Sequence, residues 1–424
     1  MKILSTIVLL LLSSLMLGQT TYLHCGKLVD VKSGKVLEQM TISVEKNKIT
    51  AVERGYTEAG SDMDKVIDLK NKTVLPGLID MHIHIEGESN PKSYLQKFTL
   101  NTADRALHGA SYGKKTLLAG FTTVRDLGGS GANIALRNAI NQGFVDGPRI
   151  YTCGKSLGTT GGHADPTNGM RMEIMGDPGP AEGVVNSVED AKKAVRQRYK
   201  NGADLIKITA TGGVLSMAKN SQNPQFTIEE IKAICQTAKD YDMHVAAHAH
   251  GDEGMQRAIL GGVKTIEHGT LMSEKTMEMM IEHDVYYVPT ITAGKEVGEK
   301  AKVKGYYPEI IVPKALEIGP KIQDTFGKAY KKGVKIAFGT DAGVFPHGIN
   351  GKEFGYMVEA GMSAIDAIQS ATITNASLLK NSLLGSIEKG NYADIIAVDE
   401  DPTKQVKTLE NVVFVMKDGV IYKN

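Results

Sequence analysis

The sequence predicts an α/β chain: a (β/α)8 TIM barrel with a small β-sandwich domain formed by both termini. Three observations predict it. The two ends of the chain read as strands and tight turns, while the long middle alternates short apolar runs with amphipathic helices. Such repeated β-then-α over some 310 residues argues for a parallel sheet, and about eight units close a barrel. Histidines recur at the ends of those apolar runs, where a barrel carries its chemistry.

Taken in order, Met1-Lys2 and the apolar run Ile3–Gly18 fit a secretory signal peptide, with Gly18/Gln19 as the expected cleavage point. The run is short of the roughly 20 residues of a stable span. An uncleaved anchor is the other reading. The mature protein is expected to be exported, periplasmic or secreted, with no stable membrane span once the signal is removed. Residues 19–76 form the first part of the sandwich: Met40-Thr-Ile-Ser-Val-Glu45 alternates, Lys46-Asn47-Lys48 turns, and Ile49-Thr-Ala-Val52 resumes, a hairpin pattern. Residues 390–424 complete it with Ala393–Val398, Val412–Met416, a turn at Lys417-Asp418-Gly419, and Val420–Tyr422.

The barrel is assigned to 77–389. Its apolar runs include Gly120–Val124, Leu205–Ile208, His244–His248, Lys264–His268, Tyr286–Pro289 and Lys335–Phe338. Helix starts stand between them: Thr227-x-x-Glu230 is a capping box, and Ser187-x-x-Asp190 opens a helix in the same way. A doubly wound sheet is the alternative, but neither a G-x-G-x-x-G after a first strand nor a G-x-x-x-x-G-K-[ST] is present. Lys+Arg (49) against Asp+Glu (48) leaves a formal charge of +1, which provides no broad footprint for nucleic acid. Cys25, Cys153 and Cys235 are too scattered for a metal knuckle or a disulfide framework and read as free, mostly buried thiols.

The chemistry lies in the histidines. His82 and His84, two residues apart at the end of an apolar run, share one strand face and point together. His248, His268 and Asp341 end later runs. Four imidazoles and a carboxylate at successive strand ends form a ligand set of borderline N/O character, typical of Zn2+. Lys207 lies inside an apolar strand, where an unpaired ammonium would be very costly. It is either a snorkelling or paired lysine, or a neutral amine that takes up CO2 as a carbamate. Arg125-Asp126, after the second barrel strand, reads as an orienting salt bridge. His244 starts its strand and falls at the opposite, stability face.

The motifs Pro76-Gly-Leu-Ile-Asp-Met-His-Ile-His84, Gly120–Asp126, Ala203–Ile208, Ala246–Gly251, Ile266-Glu-His-Gly269, Gly339-Thr-Asp-Ala-Gly343 and Gly390–Ile396 resemble the amidohydrolase superfamily over nearly the whole mature chain. Thr159–Asp165, Gly212–Ser216 with Pro224–Thr227, and Gly339–His347 resemble its prolidase-like, imidazolonepropionase-related dipeptidases. The resemblance implies two divalent metal ions. His82, His84 and Asp341 would hold one, His248 and His268 the second, and a carbamate on Lys207 would bridge them. It also implies hydrolysis of the amide bond of small dipeptides or N-acyl amino acids, with release of the C-terminal residue. Asp341 would move the proton, and His163 and His250 would donate to the oxyanion. The alternative is hydrolysis of a cyclic amide or lactone on the same site. For the substrate's carboxylate, Arg171 and Lys219 stand on suitable loops and could equally face water. Partners are confined to a small-molecule or dipeptide substrate, with homo-oligomer formation left open.

Overall fold

The computed structural model describes residues 19–424. The expected signal segment, 1–18, lies outside them. The chain opens with β1 (Thr20–Asp30), β2 (Lys35–Glu45), β3 (Lys48–Arg54) and β4 (Lys65–Pro76). It closes with β12 (Ile395–Val398), β13 (Phe414–Lys417) and β14 (Val420–Lys423). These seven form one sheet in the order β14-β13-β12-β4-β1-β2-β3. Both expected turns are present. Lys46 and Asp418 adopt φ of +53° and +49°, the left-handed geometry a tight hairpin needs. The sheet rolls back on itself: Lys48 bridges Tyr392, and the Ile49 N–H donates to the Asn391 carbonyl at 3.0 Å. Leu23, Ile42, Val74, Ile395 and Phe414, from five of its strands, share one buried apolar cluster.

Seven short parallel strands lie between the ends: β5 (Leu78–Ile83), β6 (Phe121–Asp126), β7 (Arg149–Thr152), β8 (Ile206–Thr209), β9 (Val245–Ala249), β10 (Thr265–His268) and β11 (Tyr286–Val288). They form two sheets, β5-β6-β7 and β11-β10-β9-β8. A parallel bridge, Leu157 to Ile208, joins one to the other. Across the remaining gap, Tyr287 bridges Ile336 and Ile83 bridges Ala342.

The apolar run at 335–338 is therefore in place beside β11 but is not a continuous strand. Its backbone groups are claimed irregularly: Ala337 donates to Tyr287, Phe338 accepts from Met81, and Thr340 donates to the Asp80 carboxylate at 3.0 Å. Asp80 also accepts from the His82 N–H at 3.1 Å and from Asn350 at 2.8 Å, so one buried carboxylate ties β5 to the segment that carries Asp341.

The helices begin where the caps predict. Thr227 and Glu230 form the reciprocal box, and Ser187 accepts from the Asp190 N–H. The three cysteines are free, with Cys25 and Cys153 buried. Among the described residues no helix is long and apolar enough to cross a membrane.

Candidate metal centre

All eight sequence-predicted residues, His82, His84, His163, Lys207, His248, His250, His268 and Asp341, line one cavity of about 500 Å3. Its apolar wall comes from Leu127, Val214, Val297, Ile318 and Val344. The cavity lies at the C-terminal ends of the parallel strands. His82 is the penultimate residue of β5 and His84 follows that strand; His248 is in β9, His250 just beyond it, and His268 ends β10. His268 and Asp341 adopt φ of +70° and +63°, strained values for residues with a Cβ. His268 at the end of β10 and Asp341 beyond the irregular run both place their side chains in the cavity.

Hydrogen bonding assigns the tautomers. His84 Nδ1 faces the Gly128 carbonyl at 2.8 Å, and His82 Nδ1 faces the Glu267 carboxylate at 2.9 Å. Neither partner can donate, so both Nδ1 atoms carry hydrogen and both Nε2 atoms present lone pairs. These lone pairs converge on one atom: Asp341 Oδ1 lies 3.4 Å from His82 Nε2 and 3.3 Å from His84 Nε2. That oxygen is buried and has no hydrogen-bond donor. Burial, with Lys207 nearby, draws the His82 imidazole down to about 4, so it does not supply the missing proton near neutral pH. Against the opposing effect of burial, Asp341 raises the His84 imidazole above its ordinary value, so a proton on His84 Nε2 can join it to this oxygen. Acceptors aimed at one another need a proton or a cation between them, and N/O donors in this arrangement also fit a divalent metal ion. His268 offers a further atom to the same place, since His82, His268 and Asp341 bring ligand atoms within 4.8 Å of one another.

The other imidazoles continue the cluster. The His248 ring lies 4.6 Å from that of His268, 4.7 Å from His250 and 4.4 Å from His163. His248 Nε2 faces the Gly212 carbonyl at 3.0 Å and must donate, which leaves Nδ1 as its ligand atom. His268 Nδ1 meets the Thr290 hydroxyl at 2.8 Å, and His250 Nδ1 meets the Thr270 hydroxyl at 2.9 Å. His163 Nδ1 is buried without a partner. Its ring packs on Gly213, where any Cβ would fall 2.2 Å from it. Burial draws His163 down to about 3 and His250 to about 4, so both are neutral near pH 7.

Lys207 lies in β8 at 3% exposure, with no hydrogen bond or ion pair from its ammonium among the described residues. Burial draws it down to about 8, against the opposing pull of Glu267 and Asp341.

The support beneath the site was only partly foreseen. Arg125 and Asp126 do not pair with each other. The Arg125 guanidinium donates to Glu267 at 2.8 Å and to the Met81 carbonyl at 2.7 Å. Asp126 instead accepts from the Ile85 N–H at 2.8 Å and from Asn133 at 2.7 Å. The result is a buried chain from Arg125 through Glu267 to His82 and Asp341. Burial would raise the Glu267 carboxyl, but Arg125 and His82 outweigh it and hold it at about 2. His244 does fall beneath this layer, 3.2 Å from an Arg125 nitrogen.

Glu267 escaped the sequence reading although it gives the signal Lys207 gave, an ionisable residue inside an apolar strand. Lys314 had no local signal: its buried ammonium donates to the carbonyls of Gly213, Ser216 and Ala218 at 3.2, 2.6 and 2.7 Å, fixing the loop that brings Val214 to the cavity. Arg171 and Lys219 are both exposed and neither lines the cavity; Arg171 pairs with Glu173 at 3.3 Å.

Glu267→Gln is expected to lower stability by about 3–5 kcal/mol, because it leaves Arg125 as an uncompensated buried charge. Denaturant unfolding of the metal-free protein measures this.

Comparison with known proteins gives concordant findings. The sequence profile of the amidohydrolase family matches residues 73–423. Ochratoxinase of Aspergillus niger is 33% identical over 379 residues, covering 82% of this chain and 75% of the relative. A solved structure of a Xaa-Pro dipeptidase with methionine bound in its active site is 52% identical, with a TM-score of 0.93 over 96% of this chain and 100% of that one. A prolidase solved in complex with N-methylphosphonate-L-proline is 30% identical, with a TM-score of 0.88 over 96% and 100% of the two chains.

Proposed function

The chain belongs to the amidohydrolase family, a family of metal-dependent amide-bond hydrolases, and we propose that it cleaves the amide bond of small dipeptides or N-acyl amino acids and releases the C-terminal residue. The observation that carries this reading is the convergence of two imidazole nitrogens on one buried carboxylate oxygen in a largely apolar cavity of about 500 Å3. The likeness to a Xaa-Pro dipeptidase and a prolidase supports small peptides as the substrate class.

In this reading the two parallel sheets, with their three bridges, are one closed (β/α)8 barrel over 77–389, and the rolled sheet is the β-sandwich of 19–76 and 390–424. The N-terminal Met1-Lys2 and apolar run support export.

His82, His84 and Asp341 would hold one divalent ion and His248 and His268 a second, with Zn2+ favoured by the donor set. Lys207, as a carbamate, would supply the anion shared between them. When bound, the ions lower the pKa of water and polarise the scissile carbonyl. The residues do the rest. Asp341 accepts the proton of the attacking water and delivers it to the leaving amine. With Thr270 donating to Nδ1, His250 carries its hydrogen on Nε2 and can donate to the oxygen that gains charge. His163, neutral and unpaired at Nδ1, is the second donor. The buried chain from Arg125 to Glu267 keeps His82 from turning.

The test is a panel of L-Xaa-L-Xaa dipeptides and N-acyl amino acids offered to the zinc-loaded protein beside a few lactones and imidazolones. Dipeptide turnover supports the reading. No dipeptide turnover with brisk lactone or imidazolone hydrolysis overturns it and leaves the metal centre intact.

A further inference from the structure

A side cavity of about 350 Å3 adjoins the catalytic one, and Lys97 and Leu215 line both. Its walls come from the helix Ser93–Thr99, which carries Tyr94 and Lys97, and from the segment containing Tyr306 and Tyr307. The Tyr94 hydroxyl oxygen is buried there without a hydrogen-bond partner, and the buried Tyr307 hydroxyl has no partner in good hydrogen-bond geometry, with the Ser89 side chain beside it. Buried tyrosine hydroxyls usually find one. Tyr306, their neighbour, has done so and donates to the Ser89 carbonyl at 3.1 Å. An idle Tyr94 O–H, with the Tyr307 O–H in the same cavity, marks a place where an acceptor can bind.

The charge around them has a definite sign. The Lys97 ammonium sits 4.9 Å from the centre of the Tyr94 ring and makes no ion pair with a carboxylate among the described residues. Lys97 is exposed at the surface, and partial desolvation of its ammonium, then the nearby Arg105 cation, pulls it below the usual lysine value. Of the other two lysines near the cavity, Lys207 lies among the histidines and Lys314 is committed to three carbonyls. Lys97 is thus a cation at the mouth that rests on the Tyr94 ring and has no carboxylate partner among the described residues.

We propose that Lys97, together with the Tyr94 and Tyr307 hydroxyls, forms the subsite that receives the free carboxylate of the substrate. The assignment rests on the reading of the catalytic cavity as that of a small-peptide amide hydrolase. A carboxylate accepts several hydrogen bonds at once, and a charge-assisted bond to an ammonium is the strongest of them. Anchoring that end leaves the rest of the substrate to cross Leu215 toward the imidazole cluster, which is how remote binding orients a scissile bond.

The test compares L-alanyl-L-leucine with its C-terminal amide on the metal-loaded wild type and on Lys97→Met, Lys97→Arg and Tyr307→Phe. The wild type is expected to prefer the acid. Lys97→Met should lower kcat/KM for the acid by about 10- to 100-fold, the loss typical of one charge-assisted hydrogen bond, chiefly through KM. The acid-to-amide ratio should fall toward one. Lys97→Arg should restore most of the preference, and Tyr307→Phe should cost a few-fold on the acid. An acid-to-amide ratio that Lys97→Met leaves unchanged overturns the subsite while the peptidase reading stands. Calorimetry with L-leucine and L-leucinamide on the same proteins gives a readout independent of turnover. If no dipeptide is cleaved but wild type binds leucine over leucinamide and Lys97→Met does not, the subsite stands and the peptidase reading falls. Absence of both turnover and acid-selective binding overturns both.

Discussion

Asp341→Asn is expected to lower kcat by about 10⁴-fold, the upper end of what a positioned acid–base group contributes, and to do so in a folded protein. Asp341 sits at φ +63°, a conformation that Asn tolerates better than nearly any other residue with a side chain. The substitution therefore removes the carboxylate without adding backbone strain, as alanine would. It also changes what the site asks for. Asp341 Oδ1 faces two imidazole nitrogens at 3.4 and 3.3 Å and needs a proton from His84 or a metal ion to join them. An Asn amide group can turn its N–H donors to those same nitrogens and satisfy them by itself. Metal content should consequently fall along with activity, while circular dichroism and the unfolding midpoint of the metal-free protein stay near wild type. Elemental analysis and steady-state rates on one preparation measure both effects. A metal-loaded Asp341→Asn enzyme that kept a tenth of the wild-type rate would remove Asp341 from the proton path.

How much of this was legible depends on whether a residue's role follows from its own strand. His82, His84, His248 and His268 could be placed because the two-residue period of a strand and its C-terminal end both read directly from local sequence. The turns at Lys46 and Asp418 were legible for the same reason: a hairpin is made of neighbours. The strand expected from the apolar run Lys335–Phe338, with Asp341 at its end, is where local reasoning failed. Its apolar pattern is that of a strand, but a carboxylate from β5 takes the Thr340 N–H, and the ladder is never completed. Arg125 lay beyond local reasoning as well. It stands next to Asp126, yet pairs with Glu267, 142 positions away. Lys314 and the side cavity beside Lys97 depend on loops whose direction no spacing encodes, and Arg171 and Lys219 show the cost of guessing that direction. The parallel pairing of β1 with β4 was equally out of reach. It needs a register shift at Gly26, where a Cβ would strike the Lys70 carbonyl at 1.9 Å, and nothing near Gly26 in sequence announces that partner.

Lys207→Ala should abolish most hydrolysis, by about 10²- to 10³-fold, the usual loss when one group that stabilises transition-state charge is removed. The direction of the accompanying change in metal content decides between the two readings of this lysine. As an ammonium, Lys207 would repel any ion held by its neighbours; it is close enough to depress both His82 and His248. Its removal would then raise metal affinity. As a carbamate it would carry negative charge and two ligand oxygens, and its removal would lower the content from two ions per chain toward one. Burial favours the second outcome. At 3% exposure, with a pKa drawn down to about 8, about a tenth of the amine is uncharged at pH 7, and it is the uncharged form that can add CO2. Alanine also leaves a space open to the cavity, so acetate or formate in the medium should restore part of the lost rate and the missing ion by supplying the two oxygens from solution. Methionine at the same position fills that space and should not be rescued. Gain of metal in Lys207→Ala, or full activity after metal loading, would show that the lysine is not the bridge.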